Sequence, residues 1–173
     1  MVRTEEEKKQ EQLEKLKKRI MEYIFWGVLL PMGIILRLFH LGSLSLWYDE
    51  CASIELSKLV DWKGSFLSPL LNNEPPINPL LTFFWGKILG SIRSWEQYSV
   101  WDDFAWRLLP CFWSILTIIV FYQVAKRMLD RPFTILVATF LFVISPFQIY
   151  YAQELRIYSF YVLLNLLSLL LSL

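Results

Sequence analysis

Phe104-Ala-Trp-Arg-Leu-Leu-Pro-Cys-Phe-Trp-Ser-Ile-Leu-Thr-Ile-Ile-Val-Phe-Tyr-Gln-Val-Ala125 runs straight into Lys126-Arg127. About 20 apolar residues suffice to cross the hydrocarbon core of a bilayer as a helix. The stretch carries one charge, Arg107 near its start, and two cations follow its end, so it predicts a transmembrane helix. Similar runs occupy residues 23–41, 133–150 and 157–173. The chain is 55% hydrophobic and 17% aromatic with a mean hydropathy of +0.42, a combination rare in soluble domains. The expected fold class is all-α and integral to a membrane. The net charge of +1 gives no basic excess for nucleic acid. Cys51 and Cys111 fit neither a disulfide framework nor a CxxC metal site and read as unpaired thiols. His40, at a helix end among Leu and Phe, reads as a packing or interfacial residue.

Residues 1–22 read as a charged, cytoplasmic helix with acid-first i,i+4 pairs such as Glu11–Lys15 and a narrow stripe of Leu13, Leu16 and Ile20. No small-residue cleavage site follows the next apolar run, so residues 23–41 are expected to stay as an anchor. The tail holds seven Lys and Arg, and Lys126, Arg127 and Arg131 fill the loop at 126–132. Cations favour the cytoplasmic side, which puts both regions inside and residues 42–103 in one outer loop. That loop carries eight acids against four bases. The apolar but interrupted segment 76–92 then becomes an amphipathic juxtamembrane helix on the outer surface rather than a crossing. Residues 151–156 form a second, short outer loop.

This topology gathers two polar words at one outer interface: Trp47-Tyr48-Asp49-Glu50, and Tyr150-Tyr151-Ala152-Gln153-Glu154-Leu155-Arg156. Glu74 and Arg107 join them. Ionisable groups at membrane depth are costly and mark functional sites by default. A carboxylate can take a proton from an attacking hydroxyl, arginine offers a fork that matches phosphate oxygens, and aromatic faces suit sugars and lipid chains. Plainer roles stand beside these. Asp49 and Glu50 could cap a helix start, Glu154 and Arg156 could be an interfacial pair, and Glu74 could be a solvated loop acid. Arg107 could anchor a helix end, and the tyrosines could form an aromatic belt.

Several words also carry a family likeness. Leu46-Trp47-Tyr48-Asp49-Glu50 resembles the Asp-Glu loop of GT-C-fold membrane glycosyltransferases, in the branch of protein O-mannosyltransferases and aminoarabinose transferases (family 39, or PMT_2-like). Glu74-Pro75-Pro76-Ile77 resembles that family's His-Pro-Pro-Leu segment, with Glu74 in place of histidine. Arg107-Leu108-Leu109-Pro110 resembles its Arg-Leu-Pro-Ser entry to the second span. Ser145-Pro146-Phe147 through Tyr150-Tyr151-Ala152-Gln153-Glu154-Leu155-Arg156 resembles its Ser-Pro-Phe…Tyr-Tyr-Ser-Gln-Glu-Ala-Arg stretch.

The resemblance implies GT-C-like N-terminal helices that transfer a sugar, with inversion, from a polyprenyl-phosphate donor to an acceptor hydroxyl on a glycan, lipid or protein. The active site would lie on the outer face of a plasma (inner) membrane. By the same analogy Asp49 is the general base, Glu50 assists it or helps hold a divalent cation, and Glu154 is the second catalytic acid. Arg156, Arg107, Gln153, Glu74 and Tyr151 are the substrate-binding candidates, and Glu50 and Glu74 the candidate metal ligands. No dedicated metal-ligand spacing accompanies them. Family members have more spans, so the chain is expected to be the front of a longer enzyme and inactive alone. The competing expectation is a small non-catalytic membrane protein acting as a partner subunit. A transporter segment fits less well, because the polar words lie at interfaces rather than mid-span.

Overall fold

The computed structural model describes residues 5–58, 77–92 and 100–173, and among them every regular element is a helix. The first, α1, runs unbroken over Glu5–Leu38, joining the charged tail to the apolar run in one rod about 51 Å long. Its charged part is laced by Lys15–Glu11 and Lys17–Glu14 pairs at 2.7 and 2.8 Å. Phe25–Leu29 forms a wide π-helical turn, in which the N–H of Leu30 reaches back to the carbonyl of Phe25. That turn lies just ahead of Pro31, whose ring would crowd the Gly27 carbonyl in a regular α-helix. The helix ends at Leu38, and His40 takes the left-handed conformation (φ 58°) that reverses the chain.

Next come α2 (Tyr48–Lys58), α3 (Ile77–Ile92) and the long α4 (Val100–Met128). The segment expected as a juxtamembrane helix is α3. Its Pro79 sits in the first turn, where a missing N–H does no harm. It packs Leu81, Trp85 and Leu89 against a cluster of Ile54, Trp106, Leu109 and Leu155, and the Trp85 indole donates to the Ala105 carbonyl at 2.9 Å.

The run 133–150 differs from a single straight crossing. It is two helices, α5 (Pro132–Val143) and α6 (Pro146–Ala152), bent by 49°. Pro146 brings no N–H to the ladder, and its ring excludes the residue before it from helical ψ. Ser145 accordingly sits at ψ 120°. The last helix, α7, is Tyr158–Ser172. Among the described residues, two helices, Glu5–Leu38 and Asp103–Met128, are long and apolar enough to cross a membrane, and α5 with α6 makes a third if the bent pair is one span.

Two cores hold the bundle. The larger packs Met21, Phe25, Leu29 and Leu30 of α1 against Ile118, Tyr122 and Ala125 of α4 and Ile135 and Val143 of α5. Phe25 and Tyr122 stack face to face at 3.8 Å. The smaller is the cluster around Trp106, at the other end of α4. Between hydrocarbon chains the hydrophobic effect gives no drive for helices to associate, so close packing and hydrogen bonds must hold them. Gly42 is one such approach. A Cβ there would stand 2.9 Å from the Cβ of Phe104 and 3.2 Å from its Cα, so the loop after α1 lies directly on α4.

Gly42→Ala is expected to cost about 1–3 kcal/mol by pushing this loop off α4. His40→Gly should stabilise by about 1 kcal/mol, because glycine adopts the left-handed conformation without strain. Thermal unfolding of the purified variants in mild detergent checks both signs.

Candidate functional site

The end of α1, the start of α2, the first turns of α4 and the loop after α6 meet in one place. The chain enters α2 through Trp47, and the first helical turn presents Asp49 and Glu50 on different sides, since adjacent helical residues point about 100° apart. Glu50 turns inward and is 1% exposed. Its Oε2 accepts from Arg107 Nη2 at 2.7 Å and from the Trp47 backbone N–H at 3.1 Å. Its Oε1 accepts from Arg107 Nε at 3.1 Å and from the Leu155 N–H at 2.7 Å. A carboxylate has about four lone-pair positions, and all four are met by donors here. Arg107 completes the knot by donating to the carbonyls of Leu44 and Ser45.

Asp49 turns outward. Its side chain is 64% exposed, and its Oδ2 lies 3.8 Å from Nη1 of Arg156. The two line an open cleft of about 230 Å³ with Trp47, Glu50, Tyr150, Tyr151, Glu154 and Tyr158. The Tyr150 hydroxyl lies beside the Glu154 carboxylate. Tyr151 is wedged between Tyr150 and Tyr158, with ring centroids 5.3 and 4.8 Å away. The lining therefore combines four aromatic rings with the carboxylates of Asp49 and Glu154 and a guanidinium.

The structure brings Asp49, Glu50, Tyr151, Glu154 and Arg156 to this cleft and sets two other candidates, Arg107 and Gln153, elsewhere. Arg107 lies behind Glu50, 4% exposed, rather than on the cleft wall. Gln153 turns away and donates its amide to the carbonyls of Arg37 (3.1 Å) and Phe39 (2.8 Å), capping the end of α1. Glu74 lies outside the described residues. Of the two candidate cation ligands, Glu50 has its lone pairs filled and Glu74 is not described; among the described residues no group of three or more His, Cys, Asp or Glu is placed to hold a metal.

Three cleft-lining aromatics, Trp47, Tyr150 and Tyr158, are not among the sequence candidates. Trp47 was signalled by its place beside Asp49, whereas Tyr158 reads like any belt tyrosine. Arg37 is the other omission. It is fully buried, donating from Nε to Ser114 Oγ at 2.8 Å and from Nη1 to the carbonyls of Gly33 (3.1 Å) and Val143 (3.3 Å). Val143 ends α5, where the Ser145-Pro146 break leaves carbonyls without helical partners, so Arg37 serves as the cap of that broken helix.

The architecture defines a helical membrane protein with a carboxylate- and tyrosine-lined cleft near the ends of its helices. No protein-family model, curated protein or solved structure matches the chain.

Removing one partner of a buried ion pair strands the other charge, at about 3–5 kcal/mol. Glu50→Ala and Arg107→Ala should each cost that much, and the double variant much less than their sum. Arg107→Lys should also destabilise, though less than alanine, because the ammonium keeps the charge but cannot reproduce the fork. A double-mutant cycle read by thermal unfolding tests this, and additive losses would refute the coupling.

Proposed function

We propose that the chain carries the outer-facing donor and base region of a GT-C-type membrane glycosyltransferase, acting on a polyprenyl-phosphate-linked sugar and an acceptor hydroxyl. What supports this most directly is the convergence of Asp49 with Glu154 and Arg156, about a hundred residues apart in the chain, on one cleft lined by aromatic rings. Asp49 is the general base. It is open to solvent, and the buried Glu50 beside it in sequence fixes the helix turn that carries it.

In a single displacement, the acceptor oxygen bonds the anomeric carbon as its proton passes to Asp49. The bond from that carbon to the phosphate oxygen breaks, and the lipid phosphate leaves with the electron pair. Arg156 meets the charge that grows on that phosphate, and Glu154, with Tyr150 against it, orients the acceptor or sugar hydroxyls. Tyr151, Tyr158 and Trp47 give the sugar ring and the first lipid units apolar faces. Glu50 and Arg107 are positioning residues in this scheme, and no step passes through a metal.

In membranes that contain the protein at the full length of its gene, Asp49→Asn should lower sugar transfer from a polyprenyl-phosphate donor by about a hundredfold or more, the usual contribution of a general base. Arg156→Gln should raise the donor KM as well as lower kcat. Transfer at the wild-type rate by Asp49→Asn would place the base elsewhere. If the wild-type protein neither binds nor consumes donor lipids, the non-catalytic partner reading takes over.

A further inference from the structure

A second concavity lies at the opposite end of the bundle and takes no part in the proposed chemistry. The charged part of α1 passes the start of α5 and leaves a groove of about 550 Å³ between them. Its floor is apolar, with Met21 buried, Leu136 partly buried and Phe133 77% exposed. Its rim carries two cations, Lys17 and Arg131, and two carboxylates, Glu14 and Asp130. Met21 lies just before the apolar run of α1 and Phe133 opens that of α5, so the groove straddles the level at which greasy sequence gives way to charge. That is the level of lipid headgroups.

We propose that this groove binds a single zwitterionic aminophospholipid, with its phosphate on Lys17 and Arg131 and its ammonium on Glu14 and Asp130. The balance of the rim selects the head. An anionic lipid would gain from the two cations and lose against the two carboxylates, whereas a zwitterion is matched by both. Signs already alternate at close range: Lys17 Nζ stands 2.8 Å from Glu14 Oε1, and Asp130 and Arg131 are neighbours in the chain. The phosphate has a further partner in the start of α5, where Arg131 supplies no side-chain cap and, Pro132 having no N–H, the N–H groups of Phe133 and Thr134 are the first donors. The ammonium must be primary. Carboxylates accept from its three N–H donors, whereas a trimethylammonium has none to give and is held by aromatic cages, and Phe133 is the only aromatic on this groove. The floor then takes the start of the acyl chains, covering Phe133 and Leu136.

The test is native mass spectrometry of the full chain, released into mild detergent from nanodiscs of equimolar phosphatidylethanolamine, phosphatidylcholine and phosphatidylglycerol. Phosphatidylethanolamine should be the lipid retained. Removing both carboxylates, Glu14→Gln with Asp130→Asn, should lower the ethanolamine-to-choline ratio about tenfold, at about threefold for each exposed ion pair. Arg131→Gln should reduce both of those lipids together. All these side chains are exposed, so the variants should keep the wild-type helix content by circular dichroism. Preferential retention of phosphatidylglycerol, or an unchanged ethanolamine-to-choline ratio in the double variant, overturns the proposal.

Discussion

A buried carboxylate answered on every lone pair organises one end of this molecule. Glu50 cannot stay charged in so dry a place unless donors replace the water it gave up. The donors come from three separate places: the Arg107 guanidinium on α4, the Trp47 backbone and the Leu155 backbone. Satisfying one side chain therefore fixes the start of α2, the first turns of α4 and the loop after α6 relative to one another. Those are the elements that carry Asp49 and Arg156. The contribution of the knot to net stability is modest, because desolvation offsets most of the attraction. Its effect is on uniqueness, since any slip of one element leaves a charge or an N–H stranded.

A second set of polar ties works by exchanging helix ends. The Ser145-Pro146 break frees carbonyls at the end of α5, and the guanidinium of Arg37 on α1 answers the one on Val143. The end of α1 in turn leaves carbonyls at Arg37 and Phe39, and Gln153, just past α6, answers both. Arg37 of α1 completes the end of α5, and Gln153, just past α6, completes the end of α1. In a medium without water to solvate loose carbonyls, this reciprocity lets a span break and turn without leaving backbone groups exposed. The break matters for the cleft because it reorients α6, which carries the cleft-lining Tyr150 and Tyr151.

Hydropathy made the long helices legible, and charge periodicity made the helical tail legible, because both depend on near neighbours in the chain. The two polar words were legible for the same reason: Asp49, Glu50, Glu154 and Arg156 interrupt apolar sequence where little else does. The bend was signalled by Ser145-Pro146, yet a reading by hydropathy alone passes over a proline within an apolar run. What lay beyond the sequence was direction. Nothing local says that Gln153 turns back to α1 while Glu154, the next residue, faces the cleft. Nor does it say that Arg107 points behind the cleft wall, or that Leu155 contributes through its backbone rather than its side chain.

Asp49 and Glu50 make the point most sharply, because in sequence they are one acidic word. Helical geometry separates them by about 100°, enough to send one into a dry knot and leave the other 64% exposed. A carboxylate with every lone pair engaged can neither accept a proton cheaply nor bind a cation without breaking bonds it already has. A carboxylate in an open cleft beside a guanidinium is under no such constraint. The division of labour follows from burial alone: the inner acid holds the turn in place, and the outer acid is free to react. A one-residue shift of the helix would put the shorter Asp49 side chain in the place of Glu50, too far from some of its four donors, so the same bonds that build the knot also fix which acid faces the cleft.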